Sequence, residues 1–236
     1  DMSDLKESRF FDFSNMFPGN FMAVMSQKVS NFNNSEVEIS LKKNIFINTG
    51  FIDERVARPD QVHSPITKII NSPGYKGKCD GLISSNRELV LSIKVADCTP
   101  CFLFDTVNGN FGLIHSGWRG TVGKIIINGI LNMIALGSRL KDILVLLGPS
   151  ISKKNYEVTG EIAKLFKPVN VFQKDKSHWL VSIRDEIKSD LISFGIIENN
   201  IFDTNLCTFE TESCHSYRRD GDLAGRMIAY AGYKWN

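Results

Sequence analysis

Three short apolar runs in the middle of the chain are separated by polar or turn residues. Residues 88–97 (ELVLSIKVAD), 101–105 (CFLFD) and 111–115 (FGLIH) each have the length and composition of a β-strand. The segment TVNGN between the second and third runs contains the Asn-Gly pair that favours a tight turn. The pattern therefore predicts three strands, of which the last two form a hairpin.

Apolar residues after residue 115 recur with helical rather than alternating spacing. In the segment 116–137 (SGWRGTVGKIIINGILNMIALG) they fall three or four positions apart, and Gly137 is typical of a helix end. This spacing predicts one helix across the segment. Residues 31–44 (NFNNSEVEISLKKN) are polar and predict a loop, with a short helix after Ser35.

Three later segments complete the predicted elements. Residues 143–149 (ILVLLGP) are typical of a buried strand, and residues 158–166 (VTGEIAKLF) and 182–195 (SIRDEIKSDLISFG) are typical of amphipathic helices. Strands and helices are mixed without a strict βαβ alternation, which favours an α+β fold over a doubly wound sheet. The sequence shows no repeat, low-complexity tract or linker, so residues 1–236 are predicted to form a single domain.

The composition is that of an ordinary globular protein and narrows the range of partners. Of 236 residues, 42% are hydrophobic and the net charge is +2, so neither nucleic acid nor a membrane surface is predicted as a partner. No stretch approaches the roughly 20 apolar residues of a membrane span, and residues 1–13 (DMSDLKESRFFDF) lack the apolar core of a signal peptide. The five cysteines are odd in number and unevenly spaced, which argues against a disulfide framework and predicts a cytoplasmic location.

Two of the four histidines and one cysteine stand where predicted strands or turns give way to loops. His63 precedes a Ser-Pro pair, Cys98 follows the first predicted strand, and His115 ends the third. Two imidazoles and a thiolate suit a catalytic zinc, which keeps a fourth position open, and they also suit copper. The intervals of 35 and 17 residues are too long for a zinc finger, so these ligands have to converge by folding. From spacing alone, a loop or capping role for His63 stays open.

Cys98 and Cys101 form a Cys-x-x-Cys sequence whose meaning depends on the backbone. In a strand, residues three apart point to opposite faces, and Pro100 favours an extended Thr99 before it. A redox or metal-binding pair instead needs a turn that brings both sulfurs together. We therefore predict that Cys98 acts alone and that Cys101 is a small core residue.

Two arginine-bearing segments predict an anion site. A cap before the predicted helix would place Arg119 in the first turn, near free N–H groups that bind anions. The segment 214–227 (CHSYRRDGDLAGRM) concentrates a histidine, a tyrosine and three arginines: His215, Tyr217, Arg218, Arg219 and Arg226. Solvated surface charges are the alternative for both segments.

Several short motifs occur in a characteristic order: QVH at 61–63, ADCTP at 96–100, HSGWRGT at 115–121 and SYRRDG at 216–221, followed by GRM. With LGPSI and YEV, they closely resemble the laccase-domain family. Its members are variously called multicopper polyphenol oxidase, purine nucleoside phosphorylase and peptidoglycan editing factor. The resemblance extends from about residue 59 to residue 228. It implies an α+β sandwich of mixed sheets, related to bacterial toxin deamidases that use Cys and His.

The resemblance also implies a site and an activity. It makes His63, Cys98 and His115 a metal site, which holds zinc in family members although copper was proposed earlier. The implied reactions are phosphate-dependent cleavage of adenosine, inosine and methylthioadenosine, and deamination of adenosine. The chain departs from the family pattern at Ser64, where members usually have Gly, and at Cys101, where they usually have an aliphatic residue. The segment GPSISKKNYEV lacks the cysteines of the family pattern, so those cysteines are not required.

A zinc-dependent purine nucleoside phosphorylase with adenosine deaminase activity is the first predicted function. Catalysis would involve Cys98 and His115, with Asp97 as the acid or base, because the His-x-Glu signature of nucleobase deaminases is absent. Phosphate or substrate would be bound by a separate set: Arg119, Tyr217 and Arg218. We expect zinc as cofactor, a nucleoside and phosphate as ligands, and a monomer or homodimer.

Three other functions compete with this prediction. In a cysteine hydrolase or amidase that edits peptidoglycan precursors, Cys98 would be the nucleophile and His115 the base. A copper-dependent polyphenol oxidase needs more histidines than the four in the chain. A non-catalytic binding protein is the last alternative. Zinc content separates the zinc-dependent phosphorylase from the cysteine hydrolase, because a zinc-bound thiolate resists alkylation and a free nucleophile reacts.

Overall fold

The computed structural model describes residues 10–28 and 35–235. Within these ranges, three sheets contain fifteen strands: β1 Phe10–Asp12, β2 Phe21–Ser26, β3 Val56–Asp60, β4 Thr67–Ile69, β5 Gly74–Lys78, β6 Gly81–Ser84, β7 Val90–Val95, β8 Thr99–Asp105, β9 Phe111–Ser116, β10 Ile143–Leu147, β11 Glu157–Thr159, β12 Val171–Gln173, β13 His178–Val181, β14 Ile201–Asp203 and β15 Met227–Tyr233. The first sheet has the order β1-β2-β15-β7-β3-β5, the second β14-β10-β8-β9-β6-β4, and the third β11-β13-β12. The first two sheets mix parallel and antiparallel pairs.

Six α-helices lie in the described part of the chain: α1 Ser35–Thr49, α2 Trp118–Val122, α3 Ile125–Ala135, α4 Gly160–Ala163, α5 Ile183–Phe194 and α6 Tyr217–Asp220. Helix α5 covers the predicted segment and begins at Ser182, whose hydroxyl accepts a hydrogen bond from the Asp185 N–H. None of the helices in the described ranges has the length and apolarity needed to span a membrane.

The first two sheets pack face to face, and helices cover their outer faces. Leu91 and Met227 of the first sheet share one apolar cluster with Phe102 and Leu113 of the second. A second cluster lies between the other face of the second sheet and helices α3 and α5. Helix α1 covers the outer face of the first sheet, where its Ile45 is buried. This layered α+β arrangement confirms the predicted fold class.

The predicted hairpin and its alternation are confirmed. Strands β8 and β9 are antiparallel, and Phe102 faces the first sheet while Cys101 faces the helices. Because both faces of β8 are covered, its central residues 100–104 are apolar in succession rather than alternating with polar ones. Cys101 is fully buried, as predicted for a core residue, and burial raises the pKa of its thiol.

Three predicted helices were wrong in extent. The helix predicted across residues 116–137 is interrupted at Lys124, which adopts a left-handed conformation with φ 63°. Gly123, a residue of low helix propensity, is the C-cap of α2 just before it, and the Lys124 side chain forms an ion pair in which Nζ lies 2.9 Å from Asp190 Oδ1 on α5. The end at Gly137 is confirmed, with φ 92°.

The other two differences concern polar or ambiguous segments. Within residues 158–166, only the four residues of α4 are helical, and the first two residues of the segment pair instead with Trp179 and His178 in the third sheet. In the segment 31–44, the predicted short helix extends to Thr49, and residues 31–34 lie outside the described part of the chain. The prediction about a signal peptide concerns residues 1–13, of which 1–9 also lie outside it.

Candidate metal centre and adjoining cavity

Two strand ends and one loop bring the three predicted metal ligands together. His115 is the fifth residue of β9, and Cys98 lies just before β8. The pairing of Thr99 with Ser116 leaves Cys98 at the same end of the hairpin as Gly117. His63 comes from the loop after β3 in the other sheet. The ligands therefore converge across the interface between the two sheets.

The donor atoms of His63, Cys98 and His115 all lie within 4.8 Å of one another. The two imidazole rings are 4.8 Å apart between centroids and nearly perpendicular, at 77°. His115 is buried, Cys98 is half-buried and His63 is exposed. The three side chains are thus covered by protein on the side of His115 and reach solvent on the side of His63.

Gly117 leaves the space that this convergence needs. A Cβ atom at this position would lie 2.9 Å from Cys98 Sγ and 3.3 Å from His63 Cδ2. Both distances are too short for a side chain, so a glycine here allows the sulfur and the imidazole to approach the backbone.

The electrostatics of the centre favour a thiolate. Burial raises the pKa of the Cys98 thiol, but hydrogen bonds from His115 and His63 and their positive charge lower it to about 6. Burial lowers the pKa of His115, but its bonds to Asp80 and Cys98 raise it to about 9. Both shifts favour a thiolate beside an imidazolium in the metal-free centre. Two imidazoles and a thiolate suit zinc or copper.

Asp80 is a residue of the site that the sequence did not predict. Its buried carboxylate accepts hydrogen bonds from His115 Nδ1 at 2.9 Å and from the His63 N–H at 2.9 Å. Burial raises the pKa of Asp80, but hydrogen bonds from His115 and Ser64 lower it to about 2. An aspartate before a glycine is typical of a turn, so the sequence carried no distinctive signal for it.

Asp97, the predicted acid or base, is buried and fully engaged next to Cys98. Its Oδ1 accepts a hydrogen bond from Thr208 Oγ1 at 2.6 Å, and its Oδ2 accepts one from the Arg218 N–H at 2.6 Å. Its backbone is left-handed, with φ 76°. These contacts tie the segment that carries Arg218 to the turn that carries Cys98.

A cavity of about 1120 Å³ opens from the metal centre. Its walls include the three predicted ligands, Asp97, and the predicted binding residues Arg119, Tyr217 and Arg218. This volume exceeds the range of roughly 300–1,000 Å³ that is usual for small-molecule sites. The structure therefore places every residue of the predicted site in one cavity.

Tyr156 also lines this cavity and was absent from the predicted site. The Arg218 guanidinium lies over its ring, 5.1 Å from the centroid, and Arg218 Nη1 donates to the Glu157 carbonyl at 2.7 Å. Burial and the negative charge of Cys98 raise the pKa of Tyr156 to about 12. The positive charges of Arg218 and Arg119 lower this pKa but do not offset the rise. Both arginines are therefore close enough to act on one phenol. The Tyr-Glu-Val motif was visible in the sequence, but nothing in it indicated this position.

The C-terminal cluster of charged and aromatic residues divides into two groups. Tyr217, Arg218 and Arg226 line the cavity. Arg219 is directed into the protein instead, where it donates to the Cys214 carbonyl at 2.7 Å and to Asp220. His215 is half-buried and is not part of the cavity wall.

Comparison with known proteins identifies the family. The sequence model of the family described as multi-copper polyphenol oxidoreductase laccase matches residues 30–234. The chain belongs to this family. A purine nucleoside phosphorylase of Deinococcus radiodurans is 31% identical over 189 residues, which cover 78% of this chain and 72% of that protein.

Two further relatives extend the comparison within the family and its fold. The adenosine deaminase RL5 of an unknown prokaryotic organism is 31% identical over 159 residues, which cover 63% of this chain and 60% of that protein. The crystal structure of hypothetical protein YfiH from Bacillus licheniformis matches with a TM-score of 0.85 at 21% identity, covering 98% of each chain. The predicted family and fold class are confirmed.

Proposed function

We propose that the protein is a zinc-dependent purine nucleoside phosphorylase that also deaminates adenosine. The observation that carries the proposal is the shared cavity, where a His/Cys/His ligand set faces two arginines. Adenosine, inosine and methylthioadenosine are the expected substrates. The names of the Deinococcus radiodurans and RL5 relatives support both activities.

The ligand set supports zinc as the metal. A thiolate, two imidazoles and an open side match a zinc site that leaves a position for water or substrate. Bound there, zinc would supply a Lewis acid for the deamination. A cluster of several copper ions needs more histidines than the two that line this cavity, His63 and His115.

Arg119 and Arg218 are proposed to hold the phosphate. The Arg218 guanidinium is fixed by the Glu157 carbonyl and the Tyr156 ring, so its free edge is already oriented. Arg119 is exposed in the first turn of α2, with its guanidinium over the Trp118 ring. Two cations bound to one phosphate would offset its charge and direct one oxygen at the ribose C1′.

In phosphorolysis, a phosphate oxygen bonds to C1′ as the bond from C1′ to the purine nitrogen breaks. The purine leaves with the electron pair of that bond and takes up the proton that the attacking phosphate releases. Tyr156 is the proposed hydrogen-bond donor in the cavity, because a phenol is protonated at neutral pH and this side chain lines the cavity wall. The two hydrogen bonds accepted by Asp97 support a positioning role, rather than the acid or base role predicted from the sequence.

Substitution of Arg218 by alanine tests the phosphate site. We expect Arg218→Ala to lower the rate of phosphate-dependent base release by roughly 100-fold, as the loss of a charged contact does. Zinc content should stay at the parental value, since the side chain lies outside the ligand set. Arg58→Ala is the matched control, because it removes another exposed arginine from the wall of the same cavity.

The measurement is base release from adenosine and inosine, followed by chromatography, with phosphate varied from none to millimolar concentrations. Equal rates without phosphate would make the enzyme a hydrolase. If Arg218→Ala is as active as Arg58→Ala, then Arg218 does not bind the phosphate.

A cysteine hydrolase or amidase is the second candidate, and one observation favours it. Cys98, His115 and Asp80 form a hydrogen-bonded series in the order of a nucleophile, a base and an orienting carboxylate. Such an enzyme would work without zinc, and a peptidoglycan peptide precursor is the substrate to test. Full activity after exhaustive chelation would favour this candidate over the phosphorylase.

A further inference from the structure

Asp80 contacts two of the three proposed metal ligands at once. Its Oδ1 accepts hydrogen bonds from His115 Nδ1 and the His63 N–H, each at 2.9 Å. Its Oδ2 accepts from the Ser64 N–H at 2.7 Å, the Ser64 hydroxyl at 2.8 Å and the Val62 N–H at 3.3 Å. All five partners act as donors. Only a group without hydrogen atoms of its own, such as a carboxylate, can satisfy them together.

These bonds hold His63 in a backbone conformation that L-residues disfavour. Its φ is 59°, in the left-handed region, where a side chain crowds its own backbone. Hydrogen bonds at Gln61 and Pro65 fix the two ends of the loop. Asp80 fixes the tip between them. The direction of the exposed His63 ring therefore depends on Asp80.

The same carboxylate sets the orientation of His115. A carboxylate accepts only, so the bond of 2.9 Å places a hydrogen on His115 Nδ1. The other ring nitrogen, Nε2, then carries the lone pair that can bind a metal. The backbone of Asp80 adds a second tie, since its carbonyl accepts from the His115 N–H at 2.7 Å.

We propose that Asp80 is a positioning residue that assembles the metal centre by holding both histidine ligands through one carboxylate. The proposal rests on the metal site of the proposed function and adds a determinant of its affinity. The tripeptide Val62–Ser64 lies in the loop between β3 of the first sheet and β4 of the second, whereas the ring of His115 comes from β9. Asp80 therefore joins the two halves of the site.

An asparagine at this position has the same shape but the wrong hydrogen atoms. If the amide NH₂ group takes the place of Oδ1, it faces the two donors that Oδ1 accepts from. If it takes the place of Oδ2, it faces the three donors that Oδ2 accepts from. Those donors lose their acceptor and the loop tip is repelled. We expect Asp80→Asn to weaken zinc binding by about 10- to 100-fold, the usual effect of removing the support of a ligand.

Asp105→Asn is the matched control. Asp105 is also fully buried, and its carboxylate accepts from the Val107 and Asn108 N–H groups and from Asn108 Nδ2. It stabilises the turn between β8 and β9, at the opposite end of that hairpin from Cys98. Asp105→Asn should lower stability to a similar degree and leave zinc affinity unchanged.

Zinc affinity is measured by competition with a chromophoric chelator, and stability by urea unfolding in the presence of a chelator. Cobalt(II) substitution provides a spectroscopic readout, because its d–d bands report the number and arrangement of ligands. We expect parental bands in Asp105→Asn and weakened, shifted bands in Asp80→Asn. Parental zinc affinity in Asp80→Asn, or equal losses in both variants, would overturn the proposal.

A measurement on the parent protein covers the case in which Asp80→Asn does not fold. Long-range ¹H–¹⁵N correlation of the zinc-loaded protein shows which nitrogen of His115 carries a hydrogen. We expect a hydrogen on Nδ1, and coordination through Nδ1 would overturn the proposal. A parent protein that binds no zinc would refute the metal site itself, which distinguishes that failure from a failure of Asp80 alone.

Discussion

Replacing Gly117 with alanine tests the geometry of the metal centre with a single added carbon. Gly117 has φ −83° and ψ 177°, angles that any L-residue adopts, so alanine brings no backbone strain. Its Cβ, however, would lie 2.9 Å from Cys98 Sγ and 3.3 Å from His63 Cδ2. Non-bonded atoms are in favourable contact at roughly 3.5–4.0 Å, so the sulfur has to move by about 0.6 Å or more.

A movement of this size exceeds the positional tolerance of about 0.5 Å within which a site works. We expect Gly117→Ala to lower zinc affinity by about 10- to 100-fold, comparable to the loss of a ligand's support. The free energy of unfolding of the metal-free protein should change by less than about 1 kcal/mol, the cost of a poorer helix cap. The variant therefore separates the metal site from the fold.

Gly137→Ala serves as the control, because it strains the backbone without placing an atom against a neighbouring side chain. A Cβ there meets no atom within 4 Å, but φ is 92°, a conformation that costs an alanine about 1–2 kcal/mol. We expect lower stability in urea and unchanged zinc affinity. The affinities come from chelator competition, and the stabilities from unfolding with EDTA present. Parental zinc affinity in Gly117→Ala would show that the sulfur and the imidazole are not as close as described.

Two further predictions concern the cysteines. Cys98→Ala should lose most bound zinc, whereas Cys101→Val should keep both zinc and activity, because valine has a similar volume and fills the core position. Elemental analysis measures the zinc content of both variants. An equal loss of zinc would show that the two cysteines are a ligand pair. In the metal-free protein, alkylation of Cys98 should rise with pH through about 6 and then level off, because a lowered pKa populates the thiolate above that value. Mass spectrometry of iodoacetamide adducts follows the rate, and a rise delayed until pH 9 would contradict the described hydrogen bonds.

The contrast between Cys98 and Cys101 was predictable because it depends on the period of a strand. Cys101 lies within β8, where alternation directs it to the face covered by the helices, whereas Cys98 lies just before the strand, in the turn at the candidate metal centre. The hairpin was predictable for a similar reason, since the turn residues lie beside the strands they join. The family motifs added what spacing could not, namely that His63 belongs with the other two ligands.

The features that were missed depend on partners far away in the sequence. Lys124, at the interruption, pairs with Asp190 and Glu186 on α5, and no local pattern announces these partners. Asp80 likewise depends on distant partners, because its contacts form only when the loop of His63 and the end of β9 meet around it. Periodicity describes what one element prefers, and these residues are defined by contacts between elements.

The position of the ligands also has a consequence for the order of folding. Cys98 and His115 lie at one end of a single hairpin, 17 residues apart, so a short loop closure brings them together. His63 lies in the loop that runs from β3 of the first sheet to β4 of the second, so it takes its place only when the chain has crossed between the two sheets. We therefore expect a two-coordinate thiolate–imidazole pair to form early in folding, and the third ligand to arrive with the last long-range contacts. Zinc added during refolding would then stabilise the docked state and slow unfolding more than it speeds folding.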